Sequence, residues 1–420
     1  MKNFIVLIMI VFVLGFISIQ EQTTQAKVEK SDSHQYSLFL PDDTLLSKLV
    51  NGNNKLAFDI FSINYNNGNL IFSPLSIYSA LAMTYSGAKN NTRSEMAAAL
   101  NYPENNQGFN EAWKELITKL ITTDPESKTK SLSIANAIWI SNTMNLMNPY
   151  ENIVRSFFLS EISRLDFLTQ PQEAIKTINK WVEDKTNNKI TDLLNKNSVN
   201  SGTRCILTNA VHFLDAWDVP FDSNYSKKDD PFYISLSIAV STLFMVSATE
   251  SYKYFENLDY QVVEIPYKNS GYSFVLFVPK SLNTAFTFGL KYEDYEEVIK
   301  KMMYTDVIIT MPVFEMTSNF SLSETLKNLG VKEAFTDQAD FSLITGKKDL
   351  SISDVLHKAY IKVNENGTEA AATTAVVMDI TAIPHKAPVK IKADRPFTFF
   401  IKHNATNCIL FMGKYHYPES

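Results

Sequence analysis

The residues from Glu365 to Pro384, ENGTEAAATTAVVMDITAIP, do not read as an ordinary globular segment. Between Gly367 and Pro384 the run has no proline or glycine, its only charges are Glu369 and Asp379, and Ala370 to Thr374 are all small. Alanine favours a helix, but Thr373, Thr374, Val376 and Val377 oppose one with β-branched side chains. The same composition suits a strand entering the middle of a sheet, where every N–H must donate and small side chains pass into a core. In such a strand Thr368, Ala370, Ala372 and Thr374 share one face, while Glu369, Ala371 and Thr373 share the other. That leaves the inward set small and uncharged. A native central strand or a small-residue loop would carry the same composition, so the surroundings must decide.

Upstream, Ser73-Pro74 opens a helix with an N-cap serine and a proline at the first helical position. Ile77, Ala80, Leu81 and Thr84 continue it at i, i+3, i+4 and i+7, and Gly87 stops it. Leu56, Ile60 and Ile63 mark an earlier amphipathic helix, and Ile175, Ile178 and Val182 a later one. From Cys205 the signals turn to strands: Cys205–Phe213, Val262–Tyr267 and Tyr272–Pro279, then Val389–Ala393, Phe397–His403 and Cys408–Lys414. Helices early and strands late give an α+β chain with large antiparallel sheets. At 420 residues it is long enough for two or three domains, yet no linker, charge block or repeat supplies a cut point.

Composition narrows the function. With 45% hydrophobic residues and 20% charged, the chain can bury a large core. A net charge of −6 argues against a general nucleic-acid binder, and the densest basic run, Lys386 to Arg395, alternates with apolar residues as one solvated strand face. It implies neither a nucleic-acid nor a glycosaminoglycan site. The six histidines form no ligand-spaced pair, and neither G-x-S-x-G, G-x-G-x-x-G nor a P-loop occurs, so no catalytic residue, metal or cofactor is assigned. Cys205 and Cys408 stand alone inside apolar runs and are expected to be free, buried thiols. Lys2 and the apolar run Phe4–Ile19 form a leader, short for a membrane span and followed by polar residues, with Thr24-Gln25-Ala26 as the nearest cleavage match. Secretion is the expectation; an uncleaved N-terminal membrane anchor is the alternative.

Several stretches resemble one family, in order and over most of the chain. Asn69-Leu-Ile-Phe-Ser-Pro-Leu-Ser76 and the helix after it, Asn179-Lys-Trp-Val-Glu-Asp-Lys-Thr186, Leu207-Thr-Asn-Ala-Val-His-Phe213 with Trp217 and Phe221, Asp354 to Ala375, Ala393 to His403 and Ile409 to Lys414 are similar to the signature segments of the serpins, the serine protease inhibitor superfamily. The resemblance implies a serpin fold of three β-sheets with about eight or nine helices, and one domain over 41–420 behind a signal peptide at 1–26 and a polar extension at 27–40. It also implies an exposed reactive-centre loop at about 365–388. The resemblance implies that a protease would attack this loop and that, before the acyl-enzyme ester hydrolyses, the loop would insert into the main sheet and carry the protease away as a covalent 1:1 complex. Seventeen extended residues at ~3.3 Å each reach ~56 Å, enough to cross such a domain.

The hinge decides whether a serpin inhibits. Glu365, Gly367, Thr368, Ala370, Ala371, Ala372, Thr373 and Thr374 resemble the inhibitory pattern, which implies a monomeric inhibitor of a serine or cysteine protease; a non-inhibitory chaperone, carrier or storage serpin is the alternative. Departures are Lys362, Asn366, Thr373, Asn188 and Leu214. Counting seventeen residues from Glu365, as inhibitory loops of the family commonly run, implies a scissile bond at Thr381–Ala382, and counting back from Pro396 as in similar loops implies one near Ala382–Ile383. A small residue there suits an elastase-like or subtilisin-like protease. The resemblance gives Ser73, Ser76, Asn209, Trp217 and His357 to the shutter and breach that control sheet opening. Asn366-Gly-Thr is also an N-glycosylation sequon, and a glycan there would obstruct insertion.

Overall fold

A computed structural model describes residues 44–418 except 66–67, 104–107, 122–130, 201, 223–224, 269–270, 288 and 370–386. Helix α1 (Leu45–Asn64) is capped by Thr44, whose hydroxyl accepts from the Ser47 N–H at 3.1 Å. After β1 (Leu70–Phe72), Ser73 caps α2 (Pro74–Ser86), its Oγ accepting from the Ser76 N–H at 3.2 Å. Helices α3 (Asn90–Leu100) and α4 (Phe109–Ile121) lead to β2 (Leu132–Ser141), α5 (Asn148–Phe157), β3 (Ser160–Leu165) and α6 (Pro171–Lys185). Then come β4 (Cys205–Phe213), β5 (Asp215–Ala216), β6 (Lys227–Tyr233), β7 (Ala239–Val246), β8 (Glu250–Glu256), β9 (Tyr260–Pro266) and β10 (Tyr272–Pro279). Short α7 (Leu282–Thr287) and α8 (Tyr292–Lys301) precede β11 (Met303–Pro312) and β12 (Phe314–Ser321), and α9 (Ser323–Leu329) and α10 (Ser342–Thr345) precede β13 (Leu356–Asn364). The chain ends with β14 (Gly367–Thr368), β15 (Val389–Lys392), β16 (Phe397–His403) and β17 (Ile409–Tyr415).

The strands make three sheets. In one, β2 lies between parallel β3 and antiparallel β4. A second runs β12-β13-β14-β5, and a third of ten strands runs β1-β17-β16-β10-β9-β8-β11-β7-β6 with β15 parallel to β11. The main apolar core joins α1 and α2 to the inner faces of these sheets. A smaller cluster of Trp139, Phe167, Ile178 and Leu194 packs α6 on the opposite face of β2. β2 therefore buries both faces, Ile138 and Ile140 on one and Ala137 and Trp139 on the other, the period-2 alternation of a pleated strand. Among the described residues no helix is long and apolar enough to cross a membrane.

The three-sheet α+β architecture agrees with the sequence reading, with ten α-helices among the described residues. Local differences have local causes. Ile63 is 46% exposed because the last turn of α1 runs past the core that buries Leu56 and Ile60. Gly87 does end α2, but with a φ of −98°, outside the left-handed region. Glycine is needed there for space, since a Cβ would lie 2.2 Å from Cγ1 of Ile344. Cys205 and Cys408 are free thiols; burial pushes the Cys205 thiol up to about 12.

Candidate functional site: the hinge and its seat

The first residues of the decisive segment already lie in a sheet. Asn364 and Gly367 pair across the two-residue turn Glu365-Asn366, and Thr368 pairs with Val363 of β13 on one side and Asp215 of β5 on the other. The reading of an exposed loop from 365 onward is thus corrected at its start. Gly367 and Thr368 are buried, Thr368 at 1% exposure, because β14 fills the space between β13 and β5. The Thr368 hydroxyl meets the Tyr267 hydroxyl at 2.5 Å, in surroundings that push the Tyr267 phenol well above its ordinary range through desolvation. This is the hydrogen bond a buried threonine hydroxyl needs.

Trp217 holds the turn. Its ring stacks on Tyr267 with centroids 4.7 Å apart and planes inclined by 14°. Its indole N–H donates to the Asn364 carbonyl at 2.9 Å and its backbone N–H to the Asn366 carbonyl at 2.9 Å. The Phe221 N–H donates to the Glu365 carbonyl at 2.9 Å, and the Ser226 hydroxyl to the Glu365 carboxylate at 3.1 Å. Lys362, a departure from the family pattern, pairs with Glu315 of β12 at 2.8 Å. That pair is largely exposed, so it contributes little to stability.

Beyond β14 the regular ladder stops, and Glu369 makes an isolated bridge to Asp215. Glu369 keeps one ladder bond, its N–H donating to the Lys362 carbonyl at 2.9 Å, but its φ is 54°, in the left-handed region. Its carboxylate meets Nε2 of His212 at 2.7 Å, with side-chain exposures of 3% and 9%. Val211 and Phe213 belong to the main core, so His212 between them projects from the other face of β4. Glu369 therefore lies on the outward face, as alternation requires.

Further along the gap, Ser73, Ser76, Asn209 and His357 converge. Nε2 of His357, on β13, accepts from the Ser73 N–H at 3.1 Å at the start of α2. Burial holds His357 down at about 3, so the ring is neutral and its Nε2 free to accept. The Ser76 hydroxyl donates to the Asn209 carbonyl of β4 at 3.5 Å, and the Asn209 amide donates to Asn136 of β2 at 2.5 Å. Ser73, Ser76, Asn209 and His357 thus tie α2 to β4 and β13, two strands that no ladder joins directly among the described residues. A cavity of about 150 Å³ lies below the pair, between Leu207 and Asn209 of β4, Leu356 of β13, and Ile77 and Leu81 of α2.

The structure thus brings Glu365, Gly367, Thr368 and Trp217 together at one end of this gap and Ser73, Ser76, Asn209 and His357 further along it. Ala370, Ala371, Ala372, Thr373, Thr374, Thr381, Ala382 and Ile383 lie outside the described residues. Sequence reasoning missed His212, Tyr267 and Asn136. For His212 the signal was available, a polar residue at the outward position of an apolar strand; nothing local marks Tyr267, whose role depends on a residue about 100 positions away.

The comparisons agree with this geometry. Residues 51–418 match the family model described as Serpin (serine protease inhibitor). An uncharacterised serpin-like protein of Thermococcus kodakarensis is 36% identical over 374 residues, covering 88% of this chain and 86% of its own length. The leukocyte elastase inhibitor of Xenopus laevis is 31% identical over 379 residues, 86% of this chain and 97% of its own. The crystal structure of human thyroxine-binding globulin with its hormone superposes with a TM-score of 0.78 at 25% identity, covering 90% of this chain and all of that one. The chain belongs to the serpin family.

Proposed function

We propose that this serpin is an inhibitor that acts once, as a suicide substrate of a serine or cysteine protease. The loop at about 365–388 is offered as substrate, with Thr381–Ala382 as the bond cut and Ala382–Ile383 as the alternative. A small residue before the bond selects an elastase-like or subtilisin-like enzyme. After acylation the loop continues the path begun by β14 between β4 and β13, and the ester-linked protease travels with it as a 1:1 complex. The observation that carries this reading is the seat of Gly367 and Thr368. The two residues that must enter first already pair on both sides, and past Glu369, whose side chain lies on the outward face, the five residues Ala370 to Thr374 are small and uncharged.

The domain reading goes with it: one serpin domain over 41–420, exported by the leader at 1–26, with 27–40 as a polar extension. A sheet that must accept a strand from its own chain does not divide into independent folding units. A non-inhibitory carrier is the second reading, favoured by the likeness to thyroxine-binding globulin. Incubation with pancreatic elastase and subtilisin separates the two. Inhibition gives an SDS-resistant complex, and loop cleavage gives a sharp rise in thermal stability; cleavage with neither outcome refutes the inhibitory reading. Mass spectrometry of the cleaved chain fixes the bond.

A further inference from the structure

We propose that His212 and Glu369 form a clasp that parks the uncleaved loop after its second inserted residue. The inference deepens the inhibitory reading and rests on it for its functional meaning, but its geometry does not depend on any protease. Gly367 and Thr368 are strand residues paired with β13 and β5, whereas Glu369 has a φ of 54° and keeps only an isolated bridge to Asp215 and its N–H bond to the Lys362 carbonyl. A glutamate in the left-handed region is strained, and such a conformation persists only where its surroundings hold it. Beside its backbone contacts with Lys362 and Asp215, this one is anchored through its side chain by the contact of its carboxylate with Nε2 of His212, 2.7 Å long and nearly buried on both sides.

The two partners belong to the two things that must move relative to each other. His212 is fixed on β4 by its ladder to Ser133 of β2, while Glu369 is the first residue past β14. The contact thus joins the loop to the strand along which it would travel. With it in place, the Glu369 N–H bond to the Lys362 carbonyl and the pairing of Thr368 are retained, and the hinge rests partly inserted. Without it, the left-handed turn at 369 loses its anchor and the two-residue strand must hold by its own few bonds. Both residues are positioning residues: neither touches a protease or the reacting bond, and both act on where Thr368 sits.

The test is hydrogen exchange of the uncleaved full-length chain, read by mass spectrometry on peptides that contain the amide of residue 369. In the unaltered protein that amide is expected to be protected. Glu369→Ala and His212→Ala should each lower its protection roughly tenfold to a hundredfold, the scale of leaving a buried hydrogen-bonding group without its partner. The double variant should lower it no further than either single one, because both remove the same contact. Glu369→Gln keeps an acceptor oxygen for the imidazole and should restore most of the protection. Amides of β17 serve as the folding control, and if His212→Ala fails it, the two Glu369 variants alone decide. An unprotected amide in the unaltered chain, or Glu369→Ala within twofold of it, overturns the proposal. Because no protease takes part, a protected hinge in a chain that forms no complex would refute inhibition and leave the clasp standing. An unprotected hinge in an inhibitory chain would do the reverse.

Discussion

Acidification should loosen the gate through His357, and the size of the effect follows from its burial. In the folded protein burial holds this imidazole down at about 3, against 6.5 for the free side chain, while its Nε2 accepts from the Ser73 N–H. Between those two values the unfolded chain binds a proton that the folded one refuses, so stability falls as the pH drops through 6.5 and goes on falling toward 3. At pH 7.5 the contribution is negligible. At pH 5 it is one and a half pH units below the free value, or about 2 kcal/mol. Other groups also titrate over this range, so the informative quantity is the difference from His357→Gln, which keeps an acceptor near Ser73 but cannot be protonated. The variant should be less stable than the parent at pH 7.5. By pH 5 its deficit should have shrunk by about 2 kcal/mol, measured from urea unfolding curves at matched slopes. A deficit that stays constant from pH 7.5 to pH 5 would refute the assignment of His357 as a buried neutral acceptor.

Three further outcomes are expected. Thr368→Arg brings a charge to a position with 1% exposure, costing several kcal/mol if it stays buried, so the hinge should leave its seat and the loop should be cut without trapping the protease; gel-stable complex in undiminished yield would contradict the insertion path. Thr381→Arg should redirect the chain toward trypsin, with the new cut mapped after residue 381, and a cut elsewhere would displace the proposed bond. Gly87→Ala sets a Cβ against Ile344 and should cost about 1–3 kcal/mol by overpacking, read as a lower thermal midpoint.

Where local chemistry decides, the sequence was legible. Ser73 and Pro74 start α2 where an N-cap and a first-turn proline must, and Cys205–Phe213, Tyr272–Pro279 and Phe397–His403 are strands with the bounds expected from apolar runs between turn residues. Ser73, Ser76, Asn209 and His357 converge because they sit at fixed places on those elements. What local pattern could not supply was the resting position of the hinge. Alternation assigns the faces of Thr368 and Glu369 correctly, but it is blind to the pairing of Thr368 with Asp215 and to the left-handed turn that follows. Those depend on Tyr267, Trp217 and His212, brought from β4, β9 and their flanks by the tertiary fold. The exposed Ile63 failed for a simpler reason: helical periodicity marks a face but not where the core beneath it ends.

The two sides of β14 differ in how far apart their partners lie along the chain. Its contact with β13 is a tight hairpin closed by Glu365 and Asn366, whereas its contact with β5 spans about 150 residues and must await closure of a far larger loop. During folding the hairpin can therefore form early. Under the proposed inhibitory reading, whether β5 docks before that hairpin lengthens would set which product the chain reaches, the cocked form or one spent without meeting a protease. On that reading yield becomes a race between a local event and a distant one, and substitutions that slow the docking of β4 and β5 should lower the yield of the proposed cocked form even where they leave the finished fold unchanged.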